Sequence, residues 1–118
     1  MLSRLTLTPA GGDCLVKKKR SSLTRKVEDE IQILQRHILM LKTVRRHEPI
    51  GIIRLGELLS LPDHKVRYSL RILEQEGIIE PSTEGAVTTP KVNEFLQDLT
   101  KTLDNFRAAV EGLRESIR

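Results

Sequence analysis

The chain has 118 residues, enough for one modest core and not for two independent ones. Three aromatic residues, Tyr68, Phe95 and Phe106, and no tryptophan argue against a capacious aromatic ligand pocket or a base-stacking platform. The net charge of +4 is uneven: Met1 to Lys26 hold seven bases and one acid, and the other ninety-two residues hold thirteen bases and fifteen acids.

A single cysteine, Cys14, excludes an internal disulfide and every multi-cysteine zinc pattern. Arg4 and the polar run to Gly12 interrupt any signal-peptide stretch, and no segment approaches the length of a membrane span. The expected setting is the cytoplasm, with no membrane partner. His37, His47 and His64 lie in separate segments, with no carboxylate or thiol at metal-ligand spacing. No nucleophile motif or glycine-rich phosphate loop is present, so neither a metal, a cofactor nor an enzyme activity is expected.

Residues 1–22 read as an irregular basic arm with Pro9, Gly11, Gly12 and the cationic block Lys17, Lys18, Lys19 and Arg20, and with a short strand around Leu5 to Thr8. From about Leu23 to Arg46 the apolar residues Val27, Ile31, Leu34, Ile38 and Leu41 recur with a helical period, widened by Leu39, Met40 and Val44. Pro49 ends this helix near Glu48. The run 50–53 fits one small strand, and 54–61 a two-turn helix with Leu55, Leu58 and Leu59 inward.

Pro62 suits the first position of the next helix, which runs to about Glu76 and ends at Gly77. Two short extended runs around Ser82 to Gly85 then read as a hairpin. Val92, Leu96, Leu99, Leu103, Phe106, Val110, Leu113 and Ile117 follow at spacings of 4, 3, 4, 3, 4, 3 and 4. A repeat of that period is a coiled-coil seam, and a homodimer is the expected use of it. The spacing leaves parallel and antiparallel pairing open.

Within the helix at 62–76, charge runs against the macrodipole: cations come first and glutamates last. At 100° per residue Val66, Leu70 and Leu73 form the buried face, while His64, Arg67, Tyr68, Arg71 and Gln75 point the other way and Lys65 lies near the helix start. Arginine forks match guanine edges or phosphates, glutamine can pair with adenine, and lysine neutralises the backbone. Amides of the first helical turn add an anion site. This face is suited to DNA.

The succession of short helix, tight turn, and second helix with Val66, Leu70, Leu73, Glu74, Gly77, Ile78 and Ile79, followed by a hairpin, resembles the winged helix-turn-helix of prokaryotic regulators of the ArsR, MarR and PadR type over roughly residues 30–90. With its helical flanks the chain is also similar to small archaeal winged-helix regulators that dimerise through a C-terminal coiled coil. The resemblance implies a mainly α fold with a small β-hairpin (α+β): a winged helix-turn-helix at 23–90, preceded by the arm at 1–22 and followed by a dimerisation helix at 91–118. It also implies a homodimeric transcription regulator whose helix 62–76 enters the major groove of double-stranded DNA through His64, Lys65, Arg67, Tyr68 and Arg71.

The sequence departs from the pattern in the wing, which carries Glu80 and Glu84 and no base. That argues against wing contacts to phosphate and leaves the hairpin to cover the core. Lys17 to Arg20 with Arg25 and Lys26 are the candidate substitute, along a groove or as non-specific attraction. Two other readings stay open: an architectural protein that grips DNA without regard to sequence, and a winged-helix module that docks proteins. No small-molecule effector is evident.

Overall fold

The computed structural model describes residues 22–118, so the expected strand at Leu5 to Thr8, Cys14 and the block Lys17 to Arg20 lie outside the described residues. The chain divides into two compact units, the first ending at Gln35 and the second spanning Arg36–Arg118. Among the described residues six elements follow one another: α1 (Ser22–His47), α2 (Ile52–Leu59), α3 (Asp63–Gln75), β1 (Ile79–Ser82), β2 (Gly85–Thr88) and α4 (Val92–Ser116). The described residues are mainly helical, with one small antiparallel hairpin.

In the first unit, the described part of α1 leaves Leu23, Val27 and Ile31 exposed. In the second unit, Met40, Leu41 and Val44 of α1 are fully buried. They pack in a core with Ile50, Leu55 of α2, Val66, Leu70 and Leu73 of α3, and Ile78, Ile79, Ala86 and Val92. Phe95 and Leu96 lean on it from the first turns of α4. Burial of such side chains contributes about 1.5–3 kcal/mol each, which is what holds three helices and a two-stranded ribbon in one body.

Two expectations about α1 and α2 change for helical-wheel reasons. Leu39 does not widen the buried stripe: it lies about 160° from Leu41 around the helix and is exposed. Leu58 is 42% exposed, because Ile52, Leu55 and Leu59 share one line of α2 and Leu58 sits about 60° to its far side. The expected strand at 50–53 shrinks to a single residue. Ile50 exchanges two backbone bonds with Ala86 (3.2 and 2.8 Å), and Gly51 already accepts the N–H of Leu55 as the cap of α2.

α2 ends at Ser60, which is in the left-handed region (φ 55°) and donates its N–H to Gly56. Leu61 N–H bonds the same carbonyl at 3.0 Å, closing a tight turn into Pro62, the cap of α3. α3 stops where expected, with Gly77 at φ +80° and Ile78 N–H bonding Leu73 O at 3.2 Å. From there the chain enters the hairpin.

The hairpin register pairs Glu80 with Val87, Pro81 with Ala86 and Ser82 with Gly85, around the two-residue loop Thr83–Glu84. Ser82 Oγ donates to Gly85 O at 2.6 Å and accepts from Glu84 N–H at 3.2 Å. The second edge of β2 is also covered: Ala86 bonds Ile50, and Thr88 donates its N–H (2.6 Å) and its hydroxyl (2.9 Å) to the Glu48 carboxylate. Since Ala86 spends its backbone groups on Ile50, its partner Pro81 is a non-bonded pair whose nitrogen faces away from β2. Gly85, at φ +132°, is held so close to Ile50 that a Cβ would come within 2.6 Å of its carbonyl carbon.

α4 begins on the body, with Val92 buried and Arg45 of α1 donating to Asn93 Oδ1 at 2.8 Å. Every residue from 100 to 118 is exposed. The second half of the heptad repeat therefore has no cover within the described chain.

Candidate nucleic-acid interface

α3 sorts its side chains as the sequence periodicity requires. Val66, Leu70 and Leu73 are buried, whereas His64, Lys65, Arg67, Arg71 and Gln75 are exposed. Tyr68 is 41% exposed. One exposed arc thus carries two arginines, a lysine, a histidine, a glutamine and a tyrosine. Asp63 stands in the first turn, and Pro62 provides no side-chain cap, so the expected phosphate character of that helix start is tempered by one carboxylate. The exposed glutamates at Glu74 and Glu76 close the other end.

Tyr68 is not a free-standing side chain. Its ring centroid lies 5.6 Å from that of His37 at an interplanar angle of 46°, and the guanidinium carbon of Arg36 lies 5.8 Å from the same centroid. Beside it, the fully buried Ser69 connects the two helices: Arg36 Nε–H donates to Ser69 Oγ at 3.2 Å, and Ser69 Oγ lies 2.9 Å from His37 Nδ1. His37 is 9% exposed. Burial, and secondarily the Arg36 charge, push its pKa below the ordinary 6.5, favouring the neutral ring. A neutral ring can accept the Ser69 hydroxyl proton at Nδ1 in one tautomer or donate Nδ1–H to Ser69 Oγ in the other, and in either case Arg36 Nε–H fills an oxygen lone pair.

Sequence reasoning weighed His37 only as a metal ligand, with His47 and His64, and did not single out Arg36 or Ser69. The signal was present as two polar residues on apolar arcs. His37 precedes Met40, Leu41 and Val44 by three, four and seven positions, and Ser69 lies about 40° from Leu73 on the wheel of α3.

Glu80 and Glu84 are exposed on the hairpin, which carries no base. Of the eight seam residues, Val92 is buried and Leu96 and Leu99 are half-buried. Leu103, Phe106, Val110, Leu113 and Ile117 are exposed, from 43% at Leu103 to 83% at Ile117, which follows the last helical residue. Among the described residues, no group of three or more His, Cys, Asp and Glu is placed to hold a metal ion, and no helix is long and apolar enough to cross a membrane.

No family model matches the chain, and no curated protein matches it. Among solved structures, the activation domain of the phage T4 transcription factor MotA is similar over 62% of this chain and 78% of that one, with a TM-score of 0.48 and 18% identity. A similarity of that size assigns neither family nor function.

Proposed function

We propose that the protein is a sequence-specific, DNA-binding transcription regulator of the winged helix-turn-helix type that acts as a homodimer, with no catalytic step of its own. The observation that carries this reading is the outward arc of α3. Arg67, Arg71, His64 and Gln75 project together from a helix locked to the core by Val66, Leu70 and Leu73 and set against α2 by the turn at Ser60 to Pro62. A rigid helix with arginine forks and an amide on one exposed side suits the major groove, where donor and acceptor patterns distinguish all four base pairs.

A second copy is the proposed occupant of the uncovered apolar face of α4. Five large side chains at heptad spacing lie exposed along it, and a coiled coil with an identical helix satisfies that spacing along its length. Isolated apolar side chains on a surface are ordinary, but a continuous seam is the mark of an interface. Two-fold symmetry then offers two α3 helices to half-sites about one helical turn, or a multiple of it, apart. The basic arm at Lys17 to Arg20 adds attraction to the phosphate backbone.

Selection from a randomised duplex pool with purified protein tests the reading, and an enriched motif with two-fold character is expected. Retention of bulk DNA with no enriched motif would replace it with the architectural alternative. No DNA affinity even at low salt, with the oligomer intact, would replace it with protein docking.

A further inference from the structure

A guanidinium has five N–H donors in a planar fork. Arg36 commits its Nε–H to the buried Ser69 and lays its charged carbon over the Tyr68 ring, yet no carboxylate among the described residues pairs with it. The side chain is half-buried. Its terminal nitrogens make no hydrogen bond or ion pair with another described residue, and the guanidinium sits over Tyr68, which lies between His64 and Lys65 on the α3 arc, about 60° from Lys65 on the wheel. Ser69 is the more telling for being polar and wholly buried in a helix whose other inward residues are apolar. Its hydroxyl serves Arg36 and His37 together.

We infer that Arg36 is a phosphate-contacting residue, and that the DNA-binding surface extends from α3 onto α1. The inference rests on the function proposed above and names a contact that α3 does not supply. Arginine forks fit phosphate oxygens bidentately and form shorter, stronger bonds than neutral donors. A fork already oriented by Ser69 and Tyr68 loses less rotamer freedom on binding than a free surface arginine would. Its partner is the sugar-phosphate backbone and not a base edge, because it lies to the side of the arc that His64, Arg67 and Arg71 occupy. It therefore fixes how α3 sits on the duplex without reading sequence.

The test is fluorescence anisotropy with the full chain, on the selected duplex and on an unrelated one, across a series of salt concentrations. Arg36→Gln is expected to weaken both complexes by the same factor, roughly tenfold, and to flatten the dependence of log K on log salt by about one. Arg36→Lys, which keeps the cation and loses the fork, is expected to keep the slope and recover only part of the affinity. Wild-type protein that binds DNA while Arg36→Gln matches it in affinity and slope would overturn the inference and leave the proposed function standing. Wild-type protein that binds neither duplex overturns both. If circular dichroism shows the glutamine variant unfolded, the lysine variant decides: wild-type affinity in it removes any need for an aimed fork.

Discussion

His37 Nδ1 and Ser69 Oγ meet at 2.9 Å between α1 and α3, thirty-two residues apart in sequence and both almost wholly covered. The contact adds a polar tie between α3 and the second half of α1 to the apolar packing of Val66, Leu70 and Leu73, on the side of the helix away from Arg67 and Arg71. Buried polar pairs of this kind contribute modestly when made and cost more when broken, because the orphaned partner stays desolvated. A single hydroxyl therefore contributes to the stability of the body that carries the cationic face.

Ser69→Ala should destabilise the protein by about 1–3 kcal/mol, since His37 Nδ1 and Arg36 Nε both lose their partner. Urea denaturation followed by circular dichroism measures this. A midpoint unchanged from wild type would show that water replaces the hydroxyl without loss.

Stability should fall as pH drops below the ordinary histidine value. The folded pKa of His37 is lowered, chiefly by burial and then by Arg36, so the unfolded chain binds the proton more readily than the folded one. The stabilisation is complete above about pH 6.5 and is lost progressively as pH falls through that value toward the lowered folded pKa. Replacement of His37 by Gln, which keeps an acceptor, should remove this part of the pH dependence in denaturation curves taken between about pH 7 and 5.5.

On the α3 arc, Arg67→Ala and Arg71→Ala should each weaken binding to the selected duplex and relax base preference at one position, a loss of about 1–3 kcal/mol in discrimination. Repeating the duplex selection with each variant measures it. Unchanged preference in both would reduce the arc to a phosphate grip.

Leu103→Arg places a charge midway along the eight-residue seam, at the first of its exposed positions in α4, and should dissociate the dimer in sedimentation equilibrium without altering the helix content of the body. A wild-type protein already monomeric at micromolar concentration would sink the coiled-coil assignment.

Gly85→Ala should cost about 3 kcal/mol or more, combining a positive φ of +132° with a methyl group forced against the Ile50 backbone. Thermal unfolding checks it, and a wild-type midpoint would mean that the chain around Ile50 yields.

Periodicity made α1, α3 and α4 legible within a residue or two, because each carries a long apolar repeat. Gly77 marked the end of α3 because few other residues take its backbone angle. What the sequence obscured were contacts between elements. The small sheet contribution of Ile50 depends on the distant Ala86, and the local signal of the four-residue run 50–53 cannot reveal a pairing across the fold. Leu58 belongs to a helix too short for its burial to be read from spacing alone. In the site, the outward direction of His64, Lys65, Arg67, Tyr68, Arg71 and Gln75 followed from the wheel. The role of Tyr68 as a platform for His37 and Arg36 did not, since it requires knowing which helix lies alongside.

Pro81 carries a consequence for crowded solution. β1 has β2 on one side and no strand on the other among the described residues, and Ile79 and Pro81 are the two positions whose backbone nitrogens face that open side. An open edge invites a foreign strand to add to it, the first step of amyloid-like growth. Pro81 has no hydrogen to offer there, so the incoming strand would forfeit a ladder bond in the middle of a four-residue template. The ribbon is thereby guarded against stacking into fibrils by a residue that costs the hairpin none of its own bonds.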